Sequence, residues 1–310
     1  MAEPGAPATA SAASSDDVAA LARGGRTNVF GFLLRLVARL PFLYFAGRWY
    51  GPENVGRFAY AVLVVEFVAQ LATLGLKRGL AQQLSQTPDE ADHPAEVWDA
   101  MAVATLAALL LGSLLMLVPQ AMFPGTQPTG FDRAFPLIAI AIAGTDIALA
   151  ALAYRYDIGA SVRARAIVEP WAISIAAFAF AFYSQRDGLI LSYVVAMLAA
   201  FVTALIPLFK SYGPPRGWRL SSRRLLELAR ANMPLAGADA IEWGTRRLDL
   251  AILGLFAGPA VLGLYYVAQQ VASLPQKLKT SFEPILGPVI SRAVAERRLG
   301  DVARQVAQVG

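Results

Sequence analysis

The strongest constraint on this chain is a series of eight apolar stretches. Each is close to the roughly 20 residues that an α-helix needs to cross about 30 Å of hydrocarbon. The predicted spans are residues 29–50, 55–76, 98–120, 135–156, 166–184, 188–209, 234–256 and 262–290. This pattern predicts an all-α fold, a polytopic transmembrane helix bundle.

The composition agrees with a membrane protein and excludes several kinds of site. Of the 310 residues, 56% are hydrophobic and only 16% are charged, against roughly 25% charged in a soluble domain. The absence of cysteine excludes disulfides, thiol nucleophiles and Cys-ligated metals. The lone histidine, His93, lies in an acidic segment, and we expect a solvated loop residue there and no metal site.

The distribution of basic residues predicts the orientation. Connections on one side of the predicted spans carry 17 of the 27 Lys and Arg residues, and those on the other side carry 4. By the positive-inside rule we expect both ends of this chain to be cytoplasmic, in a multi-pass membrane protein. Topology thus explains the net charge of +5, and we expect no nucleic-acid partner. Residues 1–22 lack the apolar region of a signal peptide, so a disordered cytoplasmic tail is expected over 1–25.

A repeat divides the chain. GPENVGRFAYA at 51–61 returns as GPAVLGLYYVA at 258–268, an offset of 207 residues that also relates Arg39 to Arg246. Six spans separate the copies, so the two repeats have the same orientation, as in parallel-repeat transporters. We expect a six-helix lobe at 26–227 and the first two helices of a truncated second lobe at 228–310. The complete protein should then have at least 12 spans.

Several polar side chains fall inside the predicted spans, where charge is costly and usually functional. Arg35 and Arg39 lie one turn apart and should face an anion, either a substrate or a carboxylate such as Glu66. Glu66, Gln70, Thr73 and Lys77 form one helical stripe, matched in the second copy by Ser273, Lys277 and Thr280. These stripes indicate either a water-filled interior or hydrogen bonds in a dry bundle.

Carboxylates are concentrated in the seventh predicted span. Asp239, Glu242, Arg246 and Asp249 fall within about 80° of one another on a helix. They could neutralise one another, or they could couple proton or sodium binding to movement. In the fourth span Asp146 is a single carboxylate, suited to a proton relay or to a hydrogen bond with a neighbouring helix.

Motifs of common enzymes are absent. The chain contains no G-x-x-x-x-G-K-[ST], H-E-x-x-H, G-x-S-x-G or Asp-x-Asp pattern. Its predicted connections, at most about 20 residues, are too short for a soluble catalytic domain. The sequence therefore favours a transporter and not an enzyme.

The repeat and its flanks resemble a known family. The first copy, followed by LGLKRGL at 74–80, is similar to the start of Wzx-type polysaccharide flippases of the multidrug/oligosaccharidyl-lipid/polysaccharide exporter superfamily, as is the stretch from RRLD at 246–249 to Pro288. The resemblance covers residues 26–300 and implies a protein of the bacterial inner membrane. It implies two six-helix bundles around a cleft, and flipping of undecaprenyl-pyrophosphate-linked oligosaccharide from the cytoplasmic to the periplasmic leaflet by alternating access. The pathway would be the synthesis of O-antigen, capsule or exopolysaccharide.

The resemblance also implies partners and site residues. The partners are the lipid-linked glycan, the bilayer and other polysaccharide-assembly proteins. No cofactor is expected, and a proton or sodium gradient is the expected driver. The candidate substrate-cleft residues, chosen because Arg grips phosphate with two hydrogen bonds, are Arg35, Arg39, Gln70, Arg246 and Lys277. The candidate ion-coupling residues are Glu66, Asp146, Asp239, Glu242 and Asp249.

Two alternatives stay open. A multidrug or cation antiporter of the same superfamily would have an acidic cleft, whereas Arg35 and Arg39 favour an anionic substrate. An integral-membrane glycosyltransferase or polymerase would need a catalytic loop beyond these residues.

Overall fold

The computed structural model describes residues 37–87, 89–215 and 218–273, and in these the chain forms helices and no strand. The all-α polytopic bundle predicted from the sequence is confirmed. The helices are α1 (37–50, π-helical at Ala46–Tyr50), α2 (Gly51–Ala72), α3 (Leu76–Gln86), α4 (His93–Leu117), α5 (Gly130–Ala134), α6 (Ala139–Tyr154), α7 (Ile158–Ser161), α8 (Glu169–Ala181), α9 (Gly188–Tyr212), α10 (Ser222–Phe256) and α11 (Pro259–Ala272). Short 3₁₀ turns at Pro119–Ala121 and Phe135–Ile138 and a π-helical stretch at Val162–Val168 join them.

The first Gly-Pro turn folds α1 back on α2. Gly51 has φ +76°, a left-handed conformation that favours glycine. Pro52 follows in the first turn of α2, where its missing N–H costs no hydrogen bond. The rings of Phe42 and Phe58 lie 5.8 Å apart, whereas 16 residues of straight helix would separate them by about 24 Å. The predicted spans 29–50 and 55–76 therefore meet as a hairpin, with residues 29–36 outside the described part.

Five helical segments are long and apolar enough to cross a membrane. They are Val37–Gln86, His93–Leu117, Gly130–Tyr154, Ile158–Ala181 and Gly188–Tyr212. The first contains both arms of the hairpin, so the first six predicted spans coincide with helices. The seventh, 234–256, lies in the 35-residue α10, and the eighth is described only as far as residue 273. The number of eight spans stays a prediction.

Helix α6 lies at the centre of the bundle. Ala139, Ala143, Ile147 and Ala151 are fully buried, and α6 contacts α2, α3, α4 and α9. Small residues such as these alanines let helix backbones approach closely in a membrane. By contrast, α4 exposes the leucines of one face, an apolar surface that suits lipid. The exposed leucines are Leu106, Leu109, Leu110 and Leu114.

Residues Val37–Gln269 form one compact unit. A second unit consists of 1–36 and 270–310, of which the structure describes only 270–273. The predicted tail and the predicted boundary between lobes at residue 228 stay predictions.

The expectation for His93 is wrong. Its side chain is only 4% exposed, its Nε2 lies 3.2 Å from the carbonyl oxygen of Thr87, and its ring meets that of Tyr154 at 5.6 Å. The reason is that α4 begins at His93, five residues before the predicted span, which places the ring against the end of α6. No group of three or more His, Asp or Glu residues in the described part could hold a metal ion.

Candidate functional site

The two copies of the repeat contact each other directly through their second glycines. A Cβ on Gly56 would overlap the carbonyl oxygen of Pro259 and lie 2.8 Å from the Gly263 nitrogen. A Cβ on Gly263 would overlap the carbonyl oxygen of Pro52 and lie 2.8 Å from the Gly56 nitrogen. The contact is reciprocal, as across a two-fold axis. Helices α2 and α11 therefore cross backbone to backbone at matched positions of the repeat.

Beside this crossing, a buried ion-pair cluster joins the first turns of α2 to two connections. Arg57 is 6% exposed. It pairs with Asp132 of α5, lies 3.3 Å from Asp187, and donates to the carbonyl oxygen of Arg186 at 2.8 Å. Its guanidinium lies 4.8 Å from the centre of the Phe123 ring. This part of the bundle, defined by the Gly56–Gly263 crossing and the Arg57 cluster, is here called the turn end.

At the opposite end of α2, the short helix α3 packs closely on α10. Gly75 has φ +75°, and a Cβ there would lie 2.6 Å from the Ala236 nitrogen. A Cβ on Gly79, one turn later, would overlap the side-chain oxygen of Asn232. These glycines belong to the LGLKRGL segment of the sequence. They bring α3 against α10 in what is here called the α3 end.

The two cations between these glycines reach different helices. The Nζ atom of Lys77 lies 3.4 Å from Asp146 on α6. The Nε atom of Arg78 lies 2.9 Å from Asp239 on α10, and its guanidinium also pairs with Glu242. Since neighbouring helical residues point about 100° apart, one short helix can bridge α6 and α10.

Asp146 is the single carboxylate of α6, and the structure places it in a network of four charges with residues of other elements. Besides Lys77 it pairs with Arg165, which in turn lies 2.8 Å from Glu169. Asp146 is 14% exposed and Arg165 22%. The apolar pattern places Arg165 in a connection, whereas it lies inside the span Ile158–Ala181. Two acids and two bases compensate one another at this position, which lowers the cost of burying them.

Glu66 has two partners, neither of which is Arg39. It accepts a hydrogen bond from the Tyr193 hydroxyl at 3.1 Å, and the Arg247 guanidinium lies 3.4 Å away. Arg247 also lies over the Trp243 ring at 5.9 Å. Glu66 thus links α2, α9 and α10.

The remaining predicted residues of α10 have partners on α10 itself or on α11. Arg246 is 75% exposed and lies 2.8 Å from Glu242, one turn earlier. Asp249 accepts hydrogen bonds from the Tyr265 hydroxyl and the Gln269 amide, both at 2.5 Å. Both contacts of Asp249 join α10 to α11.

Of the four candidate site residues that remain, the structure describes two. Arg39 is half-buried on α1 and forms no ion pair with a residue that the structure describes. Gln70 is half-buried on α2, with its carbonyl oxygen accepting from the Thr73 hydroxyl at 2.8 Å. Arg35 and Lys277 lie outside the described residues.

The structure therefore brings together Glu66, Asp146, Asp239 and Glu242 with cations that were not among the candidate site residues. These partners are Lys77, Arg78, Arg165 and Arg247. Three signals in the sequence point to some of them: the polar stripe that contains Lys77, the Gly-x3-Gly spacing around Lys77 and Arg78, and the i,i+4 spacing of Arg165 and Glu169. Chemically, the exposed Lys77 and Arg78 can exchange a carboxylate partner for a phosphate. The four cations and Asp146, Glu169, Glu66, Asp239 and Glu242 are here called the charged network.

Comparison with known proteins places this arrangement in context. No solved structure shows a significant match to the chain. A curated relative, the succinoglycan biosynthesis transport protein ExoT of Rhizobium meliloti (strain 1021), is 25% identical over 278 residues. The match covers 88% of this chain and 53% of the relative, so the chain spans about half the length of the curated protein that it matches.

The family comparison covers a similar part of the chain. Residues 27–294 match the family described as polysaccharide biosynthesis protein. This range includes both Gly-Pro copies and the whole charged network. The chain belongs to this family of polysaccharide biosynthesis proteins.

Proposed function

We propose that the chain is part of a flippase that moves undecaprenyl-pyrophosphate-linked oligosaccharide from the cytoplasmic to the periplasmic leaflet for surface polysaccharide synthesis. The observation that carries the proposal is the pair Lys77 and Arg78. Both side chains are about half exposed, at 48% and 53%, and each is balanced by a carboxylate on a different helix. A pyrophosphate can take the place of these carboxylates because its oxygens accept the same charge-assisted hydrogen bonds.

The same exchange supplies a route to coupling. When the phosphate binds the cations, the buried Asp239 loses its ion-pair partner Arg78. Asp146 and Glu242 each keep a second cation. A carboxylate left in a poorly solvated place takes up a cation or a proton. Substrate binding at Lys77 and Arg78 would thereby change proton or sodium occupancy at Asp239.

The α3 helix gives this exchange a mechanical consequence. Lys77 holds α6 while Arg78 holds α10. Releasing Arg78 from Asp239 and Glu242 frees α10 from α3 apart from the glycine contacts. Alternating access would use this release, with the α3 end on the cytoplasmic side of the inner membrane, as the basic residues of the connections favour.

The test combines a deletion strain with matched variants of the full-length protein. Deleting the gene should cause complete lipid-linked oligosaccharides to accumulate and surface polymer to disappear. Lys77→Ala plus Arg78→Ala should fail to restore polymer, with export at least about tenfold below wild type, because two charge-assisted contacts are lost. Arg223→Ala is the control, since that side chain is 88% exposed and, among the described residues, pairs with Glu227 alone.

Each outcome has a defined meaning provided that immunoblots show equal amounts of protein in the membrane. Full export by the double variant would overturn the assignment of the pyrophosphate to Lys77 and Arg78. Unchanged glycolipid in the deletion strain, together with new drug sensitivity, would replace the flippase by an antiporter.

A further inference from the structure

A cavity of about 460 Å³ lies at the α3 end, outside the charged network. Its wall is formed by α3, the start of α4 and the first turns of α10. Its volume falls in the range of small-molecule sites, but such sites are mostly apolar. Here the wall carries amides, carboxylates and one guanidinium. The wall also contains Leu228, Ala231 and Leu235, so it suits a ligand that has both hydrogen-bonding groups and apolar C–H faces.

Each charged group in the wall already has a hydrogen-bond or ion-pair partner. Asp99 accepts from the Trp218 indole at 2.8 Å and lies 3.4 Å from Arg224. Glu96 accepts from the Gln83 amide, which carries no charge. Glu227, the third carboxylate, lies 2.9 Å from Arg223. Among the described residues the three carboxylates thus face two guanidiniums, so the cavity disfavours an anion.

Two glutamines in the wall have side-chain amides that are free to form hydrogen bonds with a ligand. Gln82 and Gln86 lie one turn apart on α3, both exposed, and neither side chain bonds to a residue that the structure describes. A carboxamide both donates and accepts, as a hydroxyl does. Their spacing of four residues places the two amides on one face of the helix. Both amides are therefore available to a ligand that carries several hydroxyl groups.

Other ligand classes fit the wall poorly. No cluster in the described residues has the donors for a metal ion. A phosphate would face Glu96, Asp99 and Glu227 with only Arg224 to attract it among the residues lining the cavity. An apolar ligand would leave the side-chain amides of Gln82 and Gln86 without water or partners. Sugar hydroxyls can pair with both amides.

We propose that this cavity binds uncharged sugar residues of the transported glycan, with Gln82 and Gln86 as the groups that contact sugar hydroxyls. The proposal rests on the proposed function. The position on α3 supports it, since Gln82 lies four residues, or about 6 Å of helix, beyond Arg78. A sugar attached to a pyrophosphate held at Lys77 and Arg78 would thus lie toward the cavity.

The first experiment measures binding to the purified full-length protein in detergent by saturation-transfer NMR. The probes are glucose, galactose and N-acetylglucosamine, with inorganic pyrophosphate as the charged comparison. Gln82→Ala plus Gln86→Ala should weaken binding of at least one sugar about tenfold, because two neutral hydrogen bonds are removed. Pyrophosphate binding should be unchanged. Gln120→Ala, an exposed glutamine outside the cavity, is the matched control.

The second experiment identifies the source of the sugar. In cells that contain only the double glutamine variant, lipid-linked oligosaccharide should accumulate and surface polymer should fall. Saturable sugar binding that the double variant does not weaken, or no saturable binding at all, would overturn the proposal. So would normal glycolipid and polymer in the variant strain, since the cavity would then take a free sugar. Failure of the proposed function is seen separately, as a deletion strain that accumulates no glycolipid.

Discussion

The turn end and the α3 end both pack glycines closely against another helix, but they differ in how exposed the neighbouring charges are. Both join helices through glycines that leave no room for a Cβ. At the turn end, backbone meets backbone and the neighbouring Arg57 cluster is buried. At the α3 end, the glycine contact is bordered by half-exposed ion pairs and by the 460 Å³ cavity. At both ends a glycine meets the backbone of another helix, and at the α3 end charges that a ligand can displace add to this packing.

Removing Arg57 should have the largest effect on stability. Arg57→Ala leaves Asp132, which is fully buried, with only Arg186 at 3.7 Å as a cation partner. Breaking a buried ion pair costs about 3–5 kcal/mol, so the melting temperature of the purified protein should fall sharply. The control is Arg133→Ala, an exposed neighbour on α5 whose loss should leave the melting temperature nearly unchanged. Equal melting temperatures for the two variants would contradict a turn end held by buried pairing.

The glycine crossing should be the next most sensitive feature. Gly263→Ala forces a methyl group onto the backbone of α2, and backbone cannot move aside as a flexible side chain can. Overpacking of this kind costs about 1–3 kcal/mol. Gly244→Ala is the matched control, because nothing lies within 4 Å of a Cβ at that helical position. The control should equal or exceed wild type in thermal unfolding, since alanine favours a helix.

The sequence predicts the features that depend on neighbouring residues in the chain. Apolar length predicted the helices, and the Gly51 turn and the repeat were visible in the residues themselves. The contact between the copies was not, because repetition gives two similar turns without saying that Gly56 meets Gly263. The ion pairs between helices are likewise long-range. Glu66 and Arg247 are 181 residues apart, and the periodicity of one helix does not predict a contact with another.

The same limit explains the partners of Asp146. It is the single carboxylate of α6. The cations that pair with it, Lys77 and Arg165, lie on other elements. Helical spacing selects side chains on one helix face, whereas a site in a bundle is made where several faces converge. The carboxylates of the charged network could therefore be selected from sequence, and most of its cations could not.

The contact between Gly79 and α10 should give the smallest effect and the sharpest comparison. Gly79→Ala places a methyl group against the side chain of Asn232, not against backbone. Asn232 is buried and donates to the carbonyl oxygen of Leu228 at 2.9 Å, so its displacement should cost about 1 kcal/mol. The measurement is thermal unfolding, with Gly237→Ala as the control because a Cβ there meets nothing within 4 Å.

A second substitution separates a side-chain clash from a general intolerance of the α3 end. Shortening Asn232 to alanine removes the overlapping oxygen, so Gly79→Ala should cost less in the Asn232→Ala background than alone. Residues in contact give such coupling in a double-mutant cycle, whereas distant residues give additive effects. Additive losses would mean that the backbone of α10 limits the approach of α3, as Gly56 limits that of α11. The two ends would then be held alike, and displacement of charges alone would not release α10.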